Sequence, residues 1–362
     1  MRPSARLEAM DSALSVRTLT DGGQSAAEVA QLVAQFLGRA ERTVDIAQYD
    51  FHLLPETAAV VCGAIRTAAA RGVRIRFLYN VDHRFPIPVP PPPEPDVQLI
   101  SELPVEGKAI AGVPDLMHHK YAIRDGGAVW TGSANWTDES WSRQENVLAV
   151  LESAEVAARF TGNFESLWRE DVIERTGFEE TGPVSVDGVS VRTWFCPGHG
   201  EDLSHRYAHL IGCARRRVRI CSPVITAAPV LAALAQRVSD GRLDVAGCVD
   251  VTQVRGVVHQ WNVNGNVHWK LPLMERALSR GFSGKSSVPW KREGSLHNFM
   301  HAKLTVADDT VFLGSFNLSH SGEHNAENVL EIEDRALADR LSGYVDQIRA
   351  GYPPLDLVQL GA

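Results

Sequence analysis

His301-Ala-Lys303-Leu-Thr305-Val-Ala-Asp308-Asp-Thr-Val311-Phe-Leu313-Gly314-Ser315-Phe-Asn317, closed ten residues later by Glu327-Asn328, decides how this chain is read. The same pattern stands earlier, as His118-His-Lys120-Tyr-Ala-Ile-Arg-Asp125, then Gly132-Ser133-Ala-Asn135, then Glu145-Asn146. The second copy is one residue shorter between its Asp and its Gly. In each copy, His and Lys two apart followed by alternating apolar residues describe a strand with both polar groups on one face. His301, Lys303 and Thr305 share that face, and Leu304 and Val306 take the other. Asp308-Asp309 is a turn signal. Val311-Phe312-Leu313 suits a returning strand. Gly-Ser-x-Asn then brings a hydroxyl and an amide back beside the imidazole and the amine.

These groups suit a phosphate: the lysine supplies charge, the serine and asparagine neutral hydrogen bonds. Displacement at phosphorus needs work on both sides of the atom. Two copies related by a pseudo-twofold axis supply it, one histidine as nucleophile forming a covalent phosphohistidine. The other protonates the leaving oxygen and then activates water or an alcohol. Lys120, Lys303, Asn135 and Asn317 stabilise the equatorial oxygens, with Ser133 and Ser315 as further phosphate-binding candidates. The scheme requires no metal and no cofactor. A single His-x-Lys on a strand is commonly a surface strand without chemistry; two copies in register are not. His119 points to the opposite face from His118 and reads as structural.

The doubled His-x-Lys-x4-Asp and Gly-Ser-x-Asn resembles the phospholipase D superfamily over both halves of the chain. The resemblance implies two pseudo-symmetric α/β lobes, each a mixed sheet flanked by helices, with the active site at their interface. It implies His118 as nucleophile and His301 as general acid/base. It also implies that Glu145 and Glu327 each orient a histidine through a hydrogen bond. Asp125 and Asp308 complete the candidate catalytic set as turn residues that brace the motif. Gly-Ser-Ala-Asn-Trp-Thr with Gln-Glu-Asn, and Gly-Ser-Phe-Asn-Leu-Ser with Ala-Glu-Asn, look like the nuclease-type branch.

Composition sets the frame. The 362 residues allow two domains or one two-lobed unit. A hydrophobic fraction of 44% is ordinary for a globular chain. Five cysteines without a CxxC pair suggest reduced thiols. The start of the chain lacks the apolar core of a signal peptide, so a cytoplasmic protein is expected. The net charge of −8 argues against a basic coat but not against a local basic cleft.

In chain order, residues 1–24 read as a ragged start. A helix follows from Ser25, then a strand from Thr43, a helix over 56–71 and a strand from Val73, a parallel pair with a helical crossover. The proline-rich run 85–95 reads as a stiff polyproline II loop. Residues 97–100 read as a short strand, 154–169 as an amphipathic helix, and 177–190 as the linker between copies. The second half repeats the plan, except for an insertion over 252–297. It mixes Trp261, Trp269 and Trp290 with basic residues including Lys270, Lys285, Lys291 and Arg292, with Leu271 to Leu278 as a short helix. Such a wall could stack bases, rest on lipid, or pack onto the body.

The expectation is therefore a lobe over 1–180 and a lobe over 181–362, forming a phosphodiesterase for which one chain suffices. Nucleic acid, DNA or RNA, is the favoured substrate. The alternatives are a phospholipid, hydrolysed or transferred, and a small specialised phosphodiester.

Overall fold

The computed structural model describes residues 12–81, 95–112, 115–263, 265–288 and 297–357. The proline-rich run lies almost wholly outside them, as do Trp290, Lys291 and Arg292 of the insertion.

Each catalytic copy folds as an antiparallel hairpin at the centre of its own sheet. In the first, Lys120–Arg124 pairs with Ala128–Gly132; in the second, Leu304–Ala307 pairs with Thr310–Gly314. The missing residue is in the turn. Arg124 faces Ala128 across three residues, but Ala307 faces Thr310 across two. Asp125 and Asp308 open the turns at φ 54° and 52°, a left-handed conformation that aspartate tolerates.

The first sheet has seven strands in the order Leu14–Leu19, Asn146–Glu152, Ala128–Gly132, Lys120–Arg124, Thr43–Gln48, Arg74–Val81, Glu106–Ala111. The second has eight, in the order Pro183–Val186, Val189–Cys196, Glu327–Glu333, Thr310–Gly314, Leu304–Ala307, Arg217–Ser222, Asp244–Asp250, Phe282–Lys285. In both, parallel strands on one side meet antiparallel strands on the other, and the His-x-Lys strand stands at the change. Helices Ala26–Gly38 and Pro55–Ala70 cover the outer face of the first sheet, with Ser25 and Glu28 forming the expected capping box. Gly200–Cys213, Ala228–Asp240 and Leu271–Leu278 cover that of the second. The inner faces share one buried core. Tyr121, Val129 and Ala149 of one lobe and Val306, Val311 and Leu330 of the other belong to it, together with Phe160 and Phe164 of helix Ala154–Glu170 and Leu341 and Val345 of helix Arg335–Ala350. The lobes are thus joined by continuous apolar packing that holds the two hairpins in a fixed relation.

Three expectations change, and the insertion gains a helix. The ragged start contains an edge strand, Leu14–Leu19, which pairs along Asn146–Glu152 and buries Val16 and Leu19. Residues 97–101 form a helix, because the Asp96 carboxylate accepts the Leu99 amide at 2.8 Å; the next strand is Glu106–Ala111. The supposed linker holds a hairpin, Pro183–Val186 with Val189–Cys196, turning at Asp187 and Gly188, both at positive φ. The insertion opens with a helix, Val251–Val263, which buries Val254, Val258 and Trp261.

Candidate active site

The two hairpins deliver their histidines to one cleft of about 410 Å³ at the seam. His118, Asn135, His301, Lys303 and Asn317 line it. The amide oxygens of Asn135 and Asn317 are buried with no hydrogen-bond partner among the described residues. Lys120 sits just behind, its ammonium 2.7 Å from the His118 carbonyl and 4.8 Å from the centre of the Tyr49 ring. Lys303 repeats the contact with the His301 carbonyl at 2.7 Å.

Each imidazole is oriented from the other lobe. Nδ1 of His118 donates to the carboxylate of Glu327, at 2.8 and 2.9 Å from its two oxygens, so Nε2 carries the lone pair into the cleft. Nδ1 of His301 lies 3.1 Å from the Asn146 amide oxygen. Glu145 does not hold His301: its carboxylate takes the Lys285 ammonium at 2.7 Å and the Tyr352 hydroxyl at 2.6 Å. The expectation that both glutamates orient histidines therefore stands for Glu327 and fails for Glu145.

Asp125 and Asp308 lie at the far ends of the hairpins and touch no other candidate site residue. The Asp125 carboxylate accepts the backbone N–H groups of Glu41, Arg42 and Thr43 at 2.7–2.9 Å. Asp308 accepts those of Arg215, Arg216 and Arg217 at 2.8–3.1 Å. Partial burial would raise both carboxyls, but the three donors outweigh it and hold each below the usual carboxylate range. They brace the entry of the neighbouring strand, and their place in the catalytic set is withdrawn. Ser133 and Ser315 are also displaced from phosphate binding. Both are fully buried, and their hydroxyls accept the amides of Val147 and Asn328, closing the turn beneath the cleft. His119 is structural as expected, packed 4.9 Å from Tyr121 and pushed down to about 3 by burial.

The cleft contains groups the motifs did not reveal. Tyr49 sets its ring edge-on to His118 at 4.7 Å. Asp50, Glu139, Gln144, Gln253, His297 and Phe299 line the walls. Tyr49 and Asp50 follow directly on the strand Thr43–Gln48, beside the His-x-Lys strand, a placement that the order of strands in space determines.

Burial dominates the electrostatics. It lowers His118 and His301 well below the usual histidine range, reinforced by Lys120 and Lys303. Lys120 falls to about 7 from burial, against the attraction of Glu327 and Asp50. Glu327 rises to about 7 for the same reason. These buried cationic groups are short of negative charge, which an anionic ligand supplies. Among the described residues, one group has a metal-ligand arrangement, His320, Glu323 and His324, with ligand atoms within 4.8 Å of one another. It flanks the cleft and is not part of it.

The family model described as cardiolipin synthase, phospholipase D-like domain, matches residues 33–168 and 207–349. The chain belongs to the phospholipase D superfamily. It is 33% identical to the mitochondrial cardiolipin hydrolase of Mus musculus over 110 residues, 30% of this chain and 45% of that one. It is 41% identical to the mitochondrial cardiolipin hydrolase of Homo sapiens over 108 residues, 30% of this chain and 40% of that one. The chain thus spans about half the length of the curated relatives it matches. The phosphatidylserine synthase of Haemophilus influenzae shares the fold, with a TM-score of 0.62 at 15% identity over 92% of this chain and 86% of that one. The cytoplasmic expectation is corrected here, because the curated relatives are named as mitochondrial proteins. Cysteine usage and the residues at the start of the chain do not carry a compartment. Among the described residues, no helix is long and apolar enough to cross a membrane.

Proposed function

We propose that this chain is a phosphodiesterase or phosphatidyl transferase acting on a phospholipid through a covalent phosphohistidine. The observation that carries the reading is the lining of the cleft. Two histidines and Lys303 face one cleft, with Lys120 just behind; among the described residues that line it Lys303 is the one Lys or Arg, while Asp50 and Glu139 bring carboxylates to the wall. A nucleic-acid groove needs cations that follow successive phosphates. This cleft is built for one phosphodiester. Its remaining wall includes Leu116, Pro223, Val224 and Phe299. A second hollow of about 410 Å³ continues from it through Val224, Gln253 and Ser319, walled by Val257, Trp261 and Val267 together with Lys270, Gln260 and His320, a mixed lining that suits the glycerol and polar head group of a lipid. The names of the family model and of the curated relatives favour the same class over nucleic acid.

The chemistry follows from the tautomers. His118 Nε2 attacks phosphorus, and the bond from phosphorus to the leaving alcohol oxygen breaks as that oxygen takes the Nε2 proton of a His301 imidazolium, whose charge the bound phosphodiester anion offsets and whose Nδ1 proton stays hydrogen-bonded to the Asn146 amide oxygen. Glu327 stabilises the cationic phosphohistidine ring through Nδ1. His301 then takes a proton from water or a second alcohol, whose oxygen attacks phosphorus and returns His118 Nε2 to its free state. The bound phosphodiester keeps Lys120 and Lys303 protonated, and the amides of Asn135 and Asn317 complete the cradle.

The test is turnover on vesicles containing cardiolipin or phosphatidylglycerol, beside single- and double-stranded DNA, with wild type and His118→Ala. Head-group release by the wild type alone is expected. DNA cleavage lost in the variant, with lipids untouched, would overturn the lipid reading.

A further inference from the structure

The two histidines occupy matching places in matching lobes, but their partners differ in kind. His118 has a carboxylate behind it, and His301 has a neutral amide. The strand register accounts for this. Met117, before His118, bridges Ala326, before Glu327; Met300, before His301, bridges Glu145 itself. The second contact is set one residue further on, so Asn146 lies beside His301, and the side chain of Glu145 extends instead toward the edge strand Phe282–Lys285.

There it meets Lys285. Lys285 and Glu145 are each about 1% exposed, and their 2.7 Å pair is completed by the Tyr352 hydroxyl. Asp21, 3.2 Å from Lys285, and Arg143, 2.7 Å from Asp21, extend the network outward. The first lobe shows what is absent without such a lysine. Asn80 and Asp250 are equivalent, since their side chains accept the amides of Met117 and Met300 respectively. Asn80 pairs across its sheet edge with Ile110, and Asp250 with Lys285. An apolar residue therefore stands in the first lobe where the lysine stands in the second, and in that lobe the matching glutamate, Glu327, reaches its histidine.

We propose that Lys285 is a positioning residue that holds Glu145 away from His301, so that the two histidines are built for unequal tasks. The carboxylate-backed His118 is suited to carry the phosphoryl group as a cation. The amide-backed His301 is suited to give up and recover a proton, because its imidazolium is not fixed by a counter-charge. Facing His301 are Lys303, Lys120, His118 and His297, all of which disfavour its charged form, while the carboxylates of Asp50 and Glu139 line the same cleft. Facing Glu145 are Lys285 and Tyr352, with Asp21 behind them and the buried thiols of Cys221 and Cys248 nearby. The division of labour rests on the phosphohistidine reading; the clamp does not.

The test is imidazole nitrogen NMR across pH on the full chain, with the His301 signals assigned by their loss in His301→Ala. Lys285→Ile places the first lobe's residue in the second. Released to His301, Glu145 should raise its pKa by one unit or more, with an equal upward shift in the limb of the pH–rate profile that reports the acid. A folded Lys285→Ile with His301 unshifted would overturn the proposal. Asn146→Asp, which leaves Lys285 in place, puts a carboxylate on Nδ1 directly and should give the same rise; no rise would also overturn it. The titration needs no turnover. A shifted His301 in a protein inactive on every phosphodiester supports the clamp and removes the phosphodiesterase reading, whereas turnover with an unshifted His301 does the reverse.

Discussion

Replacing Glu327 by Gln should separate catalysis from stability. Glu327 is fully buried and accepts the Nδ1 proton of His118 at 2.8 Å. Glutamine keeps the shape and can still accept that proton, so His118 keeps its tautomer. The charge that steadies the phosphohistidine cation is lost. Hydrogen bonds to charged groups are worth about 1.5–3 kcal/mol, so turnover should fall roughly 10- to 150-fold at about 1.4 kcal/mol per decade. Stability should move the other way. Burial raises the Glu327 carboxyl to about 7, well above its unfolded value. A raised acid binds its proton more tightly when folded, so it favours the fold at low pH and costs stability as pH rises through 7. Glutamine does not carry that cost. Thermal melts at pH 6 and 8 should show the variant gaining on wild type at the higher pH, while a steady-state assay shows the loss of turnover. A variant that keeps turnover within threefold of wild type, or that loses more stability at pH 8 than at pH 6, would refute the reasoning.

The turn aspartates should give the opposite result. Asp125→Ala and Asp308→Ala each orphan three backbone donors and should cost about 2–3 kcal/mol at roughly 1 kcal/mol per bond, read as a lower denaturation midpoint, with turnover per folded molecule within about threefold of wild type. A hundredfold loss of turnover in a fully folded variant would return them to the chemistry. Anion affinity should depend on pH. Burial lowers Lys120 to about 7 and it must be protonated to hold an anion, so sulfate, whose own charge is fixed over this range, should by calorimetry bind more weakly as pH rises from 6 to 8. Affinity that is flat or rising over that range would contradict the assigned charge state.

The hairpins, the shared face of His and Lys, and the pairing of two lobes were legible because period-2 alternation is a local property of the chain. The helix over 154–170 was legible for the same reason at its own period, with Phe160, Phe164 and Leu167 on one side. Two further elements carry local signals of the same kind: the alternation in Leu14–Leu19 and the Asp187-Gly188 turn flanked by alternating valines. The fate of Glu145 was not legible at all. It depends on a one-residue register between segments 155 positions apart in sequence and on a lysine from the far edge of the second sheet. Glu145-Asn146 and Glu327-Asn328 are identical dipeptides, and only packing tells them apart. Ser133 and Ser315 misled for a related reason. A hydroxyl beside a catalytic amide looks available in the sequence, yet each accepts the amide that closes its own turn, and Ser133 also donates to the Asn146 amide oxygen that His301 meets.

The most direct measurement of the central claim is mass spectrometry of the acid-labile covalent adduct. His301→Ala, mixed with a phospholipid and quenched at alkaline pH, lacks the residue that activates water. It should accumulate a phosphatidyl group on His118 wherever the leaving alcohol is acidic enough to depart unaided. An adduct at His118, absent from His118→Ala, is the predicted result. An adduct on any other residue, or full turnover by His301→Ala with none, would contradict the two-histidine account.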